Sequence, residues 1–187
     1  MRINIIGLGV GNDKSPETIE SGPRWGVNEV ILSRPVDVTF DMHDIPAILS
    51  GVKKQKRRTL EKLKHQLEKI KETNTLLYSL QVWPGLSNMA YPIKAVAKRF
   101  NATYFTGSID YAMALALYKG CDEIYLYGAN YHGSHDYRYQ FGGVHYWIGR
   151  AEQLGVKVVP QSHSRVMNSG VYGYDMTQGK FKEWAGL

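Results

Sequence analysis

Along this chain, short runs of β-branched and aromatic residues alternate with stretches whose apolar residues recur every three or four positions. That alternation predicts an α/β fold, Rossmann-like, with a mostly parallel central sheet flanked by helices. Arg2–Ile6 reads as the first strand and ends in Gly7-Leu8-Gly9-Val10-Gly11; a helical piece follows at Pro16–Ser21. Trp25–Asn28 and Val36–Phe40 read as strands, the second leading into Asp41-Met42-His43-Asp44. Leu60, Leu63, Leu67 and Ile70 mark an amphipathic helix within 53–72, with its Lys and Arg side chains on the wet face. Thr75–Val82 alternates as a strand. Met89–Phe100 reads as a helix with Pro92 in its first turn, and Thr103–Phe105 as another strand.

The second half is more sharply patterned. Ser108–Lys119 is rich in Ala, Leu and Met at helical spacing and stops at Gly120; Glu123–Tyr127 is a buried strand ending at Gly128. Tyr131–Tyr139 reads as a polar aromatic loop, Val144–Leu154 as a helix and Val156–Val159 as a strand closed by Pro160. Beyond 160 the chain is rich in Gly and Ser, with a hairpin expected around Val171–Tyr174. No repeat or linker breaks the pattern, so residues 1–187 are expected to form one domain.

Composition narrows the classes. A hydrophobic content of 43% supports a full core, and a lone cysteine, Cys121, excludes a disulfide framework and a cysteine-based zinc site. No apolar run approaches the roughly 20 residues of a membrane span, and the N-terminus reads as a strand rather than a signal peptide. A soluble protein of a reducing cytoplasm is expected. The net charge of +6 is concentrated: residues 53–72 hold nine Lys/Arg and three Glu, and the remainder is balanced. Only Lys53–Arg58 is dense and no aromatic residue interleaves it, so the Lys53–Lys71 face is expected to be solvated rather than a nucleic-acid clamp.

Open parallel sheets bind ligands at the carboxyl ends of their strands. Loops 7–13, 41–45, 106–109 and 128–139 have that address. Gly7, Gly9 and Gly11 form either a tight turn or a backbone cradle for phosphate; they lack the dinucleotide fingerprint, and no Walker element occurs. Gly107 and Ser108 begin a helix, where a hydroxyl caps the helix or meets an anion. Asn28 either makes a turn or reads a base or ribose edge. Asp41, His43 and Asp44 form a compact polar set, since a carboxylate beside an imidazole orients it for acid–base work. In the tyrosine- and histidine-rich stretch, Tyr137 and Arg138 suit a phosphate, and His132, His135 or the helical His145 suit deprotonation of a hydroxyl. The His132-x-x-His135-Asp136 spacing matches no standard metal site, so no resident metal is expected.

Ser108-Ile-Asp-Tyr111-Ala-Met-Ala114-Leu-Ala116-Leu-Tyr-Lys-Gly120, followed by Glu123-Ile-Tyr-Leu-Tyr-Gly128, resembles the nucleotide-binding half of bacterial CMP-sialic-acid-dependent sialyltransferases. It is similar also to the related Rossmann-like family that includes archaeal 6-hydroxymethylpterin diphosphokinases. Small uncharacterised bacteriophage proteins share it, together with Trp25-x-x-Asn28 and Phe40-Asp41-Met42-His43-Asp44. The resemblance covers residues 3–44 and 103–160. By position it implies that Gly7 and Gly9 form the first glycine turn and that Asn28 contacts the nucleotide. It further implies that Gly107 and Ser108 lie near the donor, that Gly128 ends the next strand and that Tyr137 contacts phosphate. His132 stands where the sialyltransferases have a second such tyrosine, and the chain lacks the insertion that precedes their catalytic histidine.

Three functions are expected to compete. The first is a nucleotide- or nucleotide-sugar-dependent transferase, glycosyltransferase-like, with the nucleotide as its small-molecule ligand and no other certain cofactor. The second is diphosphate transfer from ATP to a hydroxymethyl acceptor, with Mg held on the Asp41 and Asp44 side. The third is a non-catalytic phage protein that captures a nucleotide signal or partner in the host cytoplasm. A homo-oligomer is compatible with each.

Overall fold

The computed structural model describes residues 1–9, 21–52, 58–131, 135–161, 164–167, 171–172 and 176–186. Its centre is a seven-stranded sheet, all parallel, in the order β5-β4-β3-β2-β1-β6-β7. The strands are β1 (Arg2–Ile6), β2 (Arg24–Val27), β3 (Val38–Phe40), β4 (Leu76–Ser79), β5 (Asn88–Ala90), β6 (Glu123–Tyr127) and β7 (Lys157–Pro160). The helices are α1 (Ile45–Leu49), α2 (Leu60–Thr73), α3 (Ile93–Phe100), α4 (Ser108–Tyr118), α5 (His135–Gln153) and α6 (Gln178–Ala185), with a 3-10 turn at Asn28–Leu32. The expected Rossmann-like α/β architecture is therefore present.

Side chains alternate across a strand, and the core follows that period. Ile5 of β1 and Tyr78 of β4 pack on the face covered by α3, α4 and α5; their neighbours Ile6 and Leu77 pack on the other face, against the 3-10 turn and Ile70 of α2. Helix α4 is buried almost all round, from Ala112 through Leu117, because it lies between the sheet and helices α3 and α5. Helix α2 buries only Leu63, Gln66 and Ile70; Thr59 caps its start and Asn74, in the left-handed region, ends it.

Several expected boundaries move. The segment read as one helix from Met89 is an edge strand, β5, and then α3, with Pro92 as the residue before the helix. A residue preceding proline avoids the α region, so Tyr91 stays extended and the helix starts late. Thr103–Phe105 forms no strand: β1 is already flanked by β2 and β6, leaving no free edge where the chain returns to mid-sheet. The Tyr104 carbonyl instead accepts the Trp147 indole N–H at 3.0 Å. Helix α5 starts at His135, nine residues before the expected helix, which absorbs part of the supposed loop. Helix α6 occupies a stretch expected to be irregular, while 16–20, Lys53–Arg57 and residues 173–174 of the expected Val171–Tyr174 hairpin lie outside the described residues. No described helix is long and apolar enough to cross a membrane.

Candidate functional site

From β1 the chain runs outward to β5 and then returns to place β6 on the other side of β1. At the carboxyl edge of the sheet the loops after β1, β2 and β6 and the start of α4 leave a crevice between them. A cavity of about 230 Å³ occupies it, lined among others by Gly9, Asn28, Ser108, Asn130, Tyr137 and Gln140. Asn28, Ser108 and Gln140 also line a second cavity of about 260 Å³, which reaches Met42, His43 and Tyr111. Met42 and His43 continue into a third, of about 350 Å³, with Ser79, Gln81 and Trp83. The described parts of all four candidate loops thus meet along one row of cavities. The first two, adjoining, together fall in the range of roughly 300–1,000 Å³ typical of small-molecule sites.

The glycine turn is built for close approach. A Cβ on Gly9 would stand 2.3 Å from the Gly128 carbonyl oxygen, and one on Gly7 2.8 Å from it. The Gly7 and Gly9 amides donate to the carbonyls of Tyr127 and Gly128, each at 2.7 Å, so they bind the turn to β6 rather than offering a cradle to phosphate. Gln161 Oε1 accepts the Gly128 amide at 2.8 Å, bracing the same corner. The cavity wall formed here is backbone held by backbone.

Asn28 follows β2 with φ at +53°, a conformation asparagine tolerates better than most residues. Its Oδ1 accepts the Ser108 hydroxyl at 3.1 Å, tying β2 to the start of α4 across 80 residues. The Asn28 Nδ2 has no partner among the described residues, and neither has the Gln140 amide. Both border the first two cavities. Gly107 and Ser108 stand as expected at the helix start, but its electrostatics are set by Asp110. One carboxylate oxygen of Asp110 accepts the Thr106 amide at 2.7 Å, the Thr106 hydroxyl at 2.9 Å and the Gly107 amide at 3.1 Å. Burial pushes this carboxyl up to about 6, against those hydrogen bonds. Tyr131, beside it, is held well above the ordinary phenol range by burial first and by Asp110 and Tyr137 after. Its hydroxyl is therefore a neutral donor.

The second cavity ends on an imidazole. His43 Nδ1 lies 2.8 Å from Asp41 Oδ1, which also accepts the His43 amide at 3.2 Å. Asp41 is fully buried; its Oδ2 accepts Arg58 at 2.7 Å and Gln66 Nε2 at 3.2 Å. Burial raises the Asp41 carboxyl, but the His43 hydrogen bond and the Arg58 guanidinium outweigh it and hold the group below its ordinary value. A proton on Nδ1 directed at this carboxylate leaves the Nε2 lone pair for a substrate. With both oxygens of Asp41 engaged and Asp44 capping α1 through the Ala47 amide, these carboxylates are occupied structurally. Among the described residues, no cluster of three His, Cys, Asp or Glu side chains could hold a metal ion.

Other expected residues fall elsewhere. His145 has both ring nitrogens engaged: its Nδ1 donates to the Phe141 carbonyl of α5 at 2.9 Å and its Nε2 accepts the Met167 amide at 3.4 Å, and it lines none of these cavities. Arg138 is exposed and lines none either. Gly11, His132 and the His135 side chain lie outside the described residues. Cys121 is buried, and burial pushes its thiol up to about 11, which suits packing rather than nucleophilic attack. Arg58 overturns the expectation that every basic side chain of 53–72 is solvated, since it is 5% exposed.

The residue pattern does not single out Gln140 or Asn130. The signal for Gln140 was its position three residues after Tyr137, which puts both on one side of a helix. Asn130 follows β6 much as Asn28 follows β2. No protein-family model, curated protein or solved structure matches this chain. Among the described residues the first two cavities are lined by amides, hydroxyls, aromatic rings and one imidazole set among aliphatic side chains such as Leu8, Val27 and Ile109, without a lysine or arginine.

Proposed function

We propose that the protein is a nucleotide- or nucleotide-sugar-dependent transferase, glycosyltransferase-like in its chemistry. The observation that carries the reading is the continuity of two features. A crevice that sets neutral amides and hydroxyls among aliphatic side chains, at the carboxyl edge of a parallel sheet, adjoins a His43–Asp41 pair. The resemblance of Ser108–Gly128 to the nucleotide-binding half of sialyltransferases supports the same reading.

In this scheme Asn28 and Gln140 hydrogen-bond the base, ribose or sugar, and the phosphate lies at the start of α4, at the positive end of the helix dipole, with the Ser108 hydroxyl holding Asn28 in place. The acceptor enters from the third cavity, where Met42, Pro46, Leu80 and Trp83 offer an apolar surface and Ser79 and Gln81 offer polar groups. His43 Nε2 takes the proton of an acceptor hydroxyl. The freed oxygen attacks the donor carbon, and that carbon's bond to the phosphate oxygen breaks, the phosphate leaving with the electron pair. Tyr131, kept protonated, donates to the donor. The diphosphate-transfer alternative needs open carboxylate oxygens for Mg, and Asp41 has its oxygens engaged by Arg58, Gln66 and His43.

Calorimetry against CMP, UMP, GMP, AMP and their sugar conjugates tests the ligand. Binding by at least one is expected, with affinity weakened by Asn28→Gly; silence from all at millimolar concentration sinks the reading. Release of free nucleotide in the presence of hydroxylic acceptors tests turnover. Tight binding without release under any acceptor replaces transfer with nucleotide capture.

A further inference from the structure

Arg58 belongs by sequence to a run of cations that pattern alone assigns to solvent. Yet it turns inward at the foot of α2. Its Nη2 donates to Asp41 Oδ2 at 2.7 Å and also to Gln66 Oε1; its Nε lies 3.2 Å from Glu29 Oε1 on the 3-10 turn. Arg58, Asp41 and Gln66 are all buried. A guanidinium withdrawn from water at this depth is tolerated only when its charge and donors are matched, and replacing such a group with apolar side chains is commonly no worse for stability. Stability alone therefore gives little reason for an arginine here. Its neighbour on the far side of Asp41 gives one.

We propose that Arg58, assisted by Gln66, is the positioning residue of the site, fixing Asp41 so that His43 presents an unprotonated Nε2 to the acceptor chamber. The inference rests on the transferase reading for its purpose, though not for its geometry. The two oxygens of Asp41 divide the work: Oδ1 receives the backbone and ring N–H of His43, and Oδ2 receives Arg58 and Gln66. Four donors from three elements leave the carboxylate no other rotation.

The guanidinium itself comes within 3.5 Å of His43 Nδ1. Arginine is always a donor, and a ring nitrogen already donating to a carboxylate at 2.8 Å cannot accept from it, so this is a charge contact and not a second bond. Without Arg58 the buried carboxylate loses its main counter-charge and tends to acquire a proton. A protonated Asp41 donates to Nδ1 across the same 2.8 Å contact, the ring proton then sits on Nε2, and the base is lost. The charged and titratable groups around the ring are Asp41 and Asp44 from its own loop, Arg58 before α2, Glu29 behind Arg58, and Tyr111 of α4 across the second cavity.

The experiment is ring-nitrogen NMR on the full chain labelled at histidine, at pH 7.5 and without ligand. For R58Q, the fraction of His43 carrying a proton on Nε2 is expected to rise at least threefold over wild type, and R58K to recover part of the change. Gln66→Met, which keeps the volume and removes one donor to Oδ2, is expected to shift the same signal in the same direction by less. An unchanged His43 signal in a folded R58Q overturns the inference; should R58Q fail to fold, an unchanged signal in Gln66→Met does so. Failure here is separate from failure of the transferase reading. A ring that responds to R58Q in a protein that binds no nucleotide keeps the positioning role and discards the transfer, whereas nucleotide binding with an indifferent ring does the reverse.

Discussion

Gly143, midway along α5, lies directly against the carboxylate of Asp110 at the start of α4. A Cβ built on Gly143 would stand 2.2 Å from Asp110 Oδ2 and 2.1 Å from the Thr106 hydroxyl. Both partners are themselves held by hydrogen bonds, so neither yields easily. The helix accepts a poor helix former here because only glycine lets α5 reach the corner where Gln140 and Tyr137 border the first cavity.

Gly143→Ala is therefore expected to destabilise the protein by about 1–3 kcal/mol despite the better helix propensity of alanine. Gly149→Ala, in the same helix with open space around its Cβ position, is expected to stabilise by roughly 0.5–1 kcal/mol. Urea denaturation of the two variants reads both numbers. Equal effects at the two sites would mean that α5 does not approach Asp110 this closely.

Asp110 carries a pH dependence whose sign follows from its raised pKa. The carboxyl moves from 3.8 when unperturbed to about 6 when folded. The native state then holds the proton more tightly than the unfolded chain. Its contribution to stability is complete below 3.8 and disappears as pH rises through 6. Asp110→Asn removes that dependence. Measured by urea unfolding from pH 4 to 8, its stability relative to wild type should improve with rising pH by up to about 3 kcal/mol. A difference that stays flat across this window would show that the buried carboxyl does not titrate as its surroundings imply.

Asn28 combines a backbone requirement with a side-chain one, and two substitutions separate them. Asn28→Gly keeps the left-handed backbone at φ +53° and loses the amide; Asn28→Ala loses the amide and strains the backbone. The alanine variant should be less stable than the glycine variant by about 1 kcal/mol. Nucleotide affinity should fall in both by a similar factor, about five- to tenfold for one lost net hydrogen bond. A glycine variant that binds as wild type does would reduce Asn28 to a turn residue.

Legibility in the sequence divided along the range of the forces involved. β1, β6 and α4 were readable because strand runs and helical spacing are local, and their termini carry Gly7, Gly120 and Gly128. The start of α5 was not, because its first turns are polar and aromatic and its interior holds Gly142 and Gly143, which lower helix propensity while serving a contact with α4. β5 was hidden by Pro92, whose effect on the preceding residue outweighs the apolar period around it. Arg58 sits in a charge run, and such runs are usually solvated; the partner that draws it inward, Asp41, lies 17 residues earlier and nothing local announces it. Asp41 and His43 were visible as a polar pair, but the saturation of Asp41 was a property of the fold.

His43 gives the sharpest functional prediction, because its two candidate roles respond differently to one substitution. His43→Gln retains a donor toward Asp41 and approximates the ring's size, so the Arg58 network should persist and the fold with it. Nucleotide affinity should stay within about threefold of wild type, since no residue lining the first cavity is altered. Transfer to an acceptor hydroxyl should fall by about 10²–10⁴-fold, the usual contribution of a positioned base. A substrate whose acceptor group is already ionised at working pH should recover much of the loss, because no proton then needs a recipient. If His43→Gln instead weakens nucleotide binding and transfer by the same factor, the imidazole is a binding group of the donor site and the base must be sought elsewhere on the cavity wall.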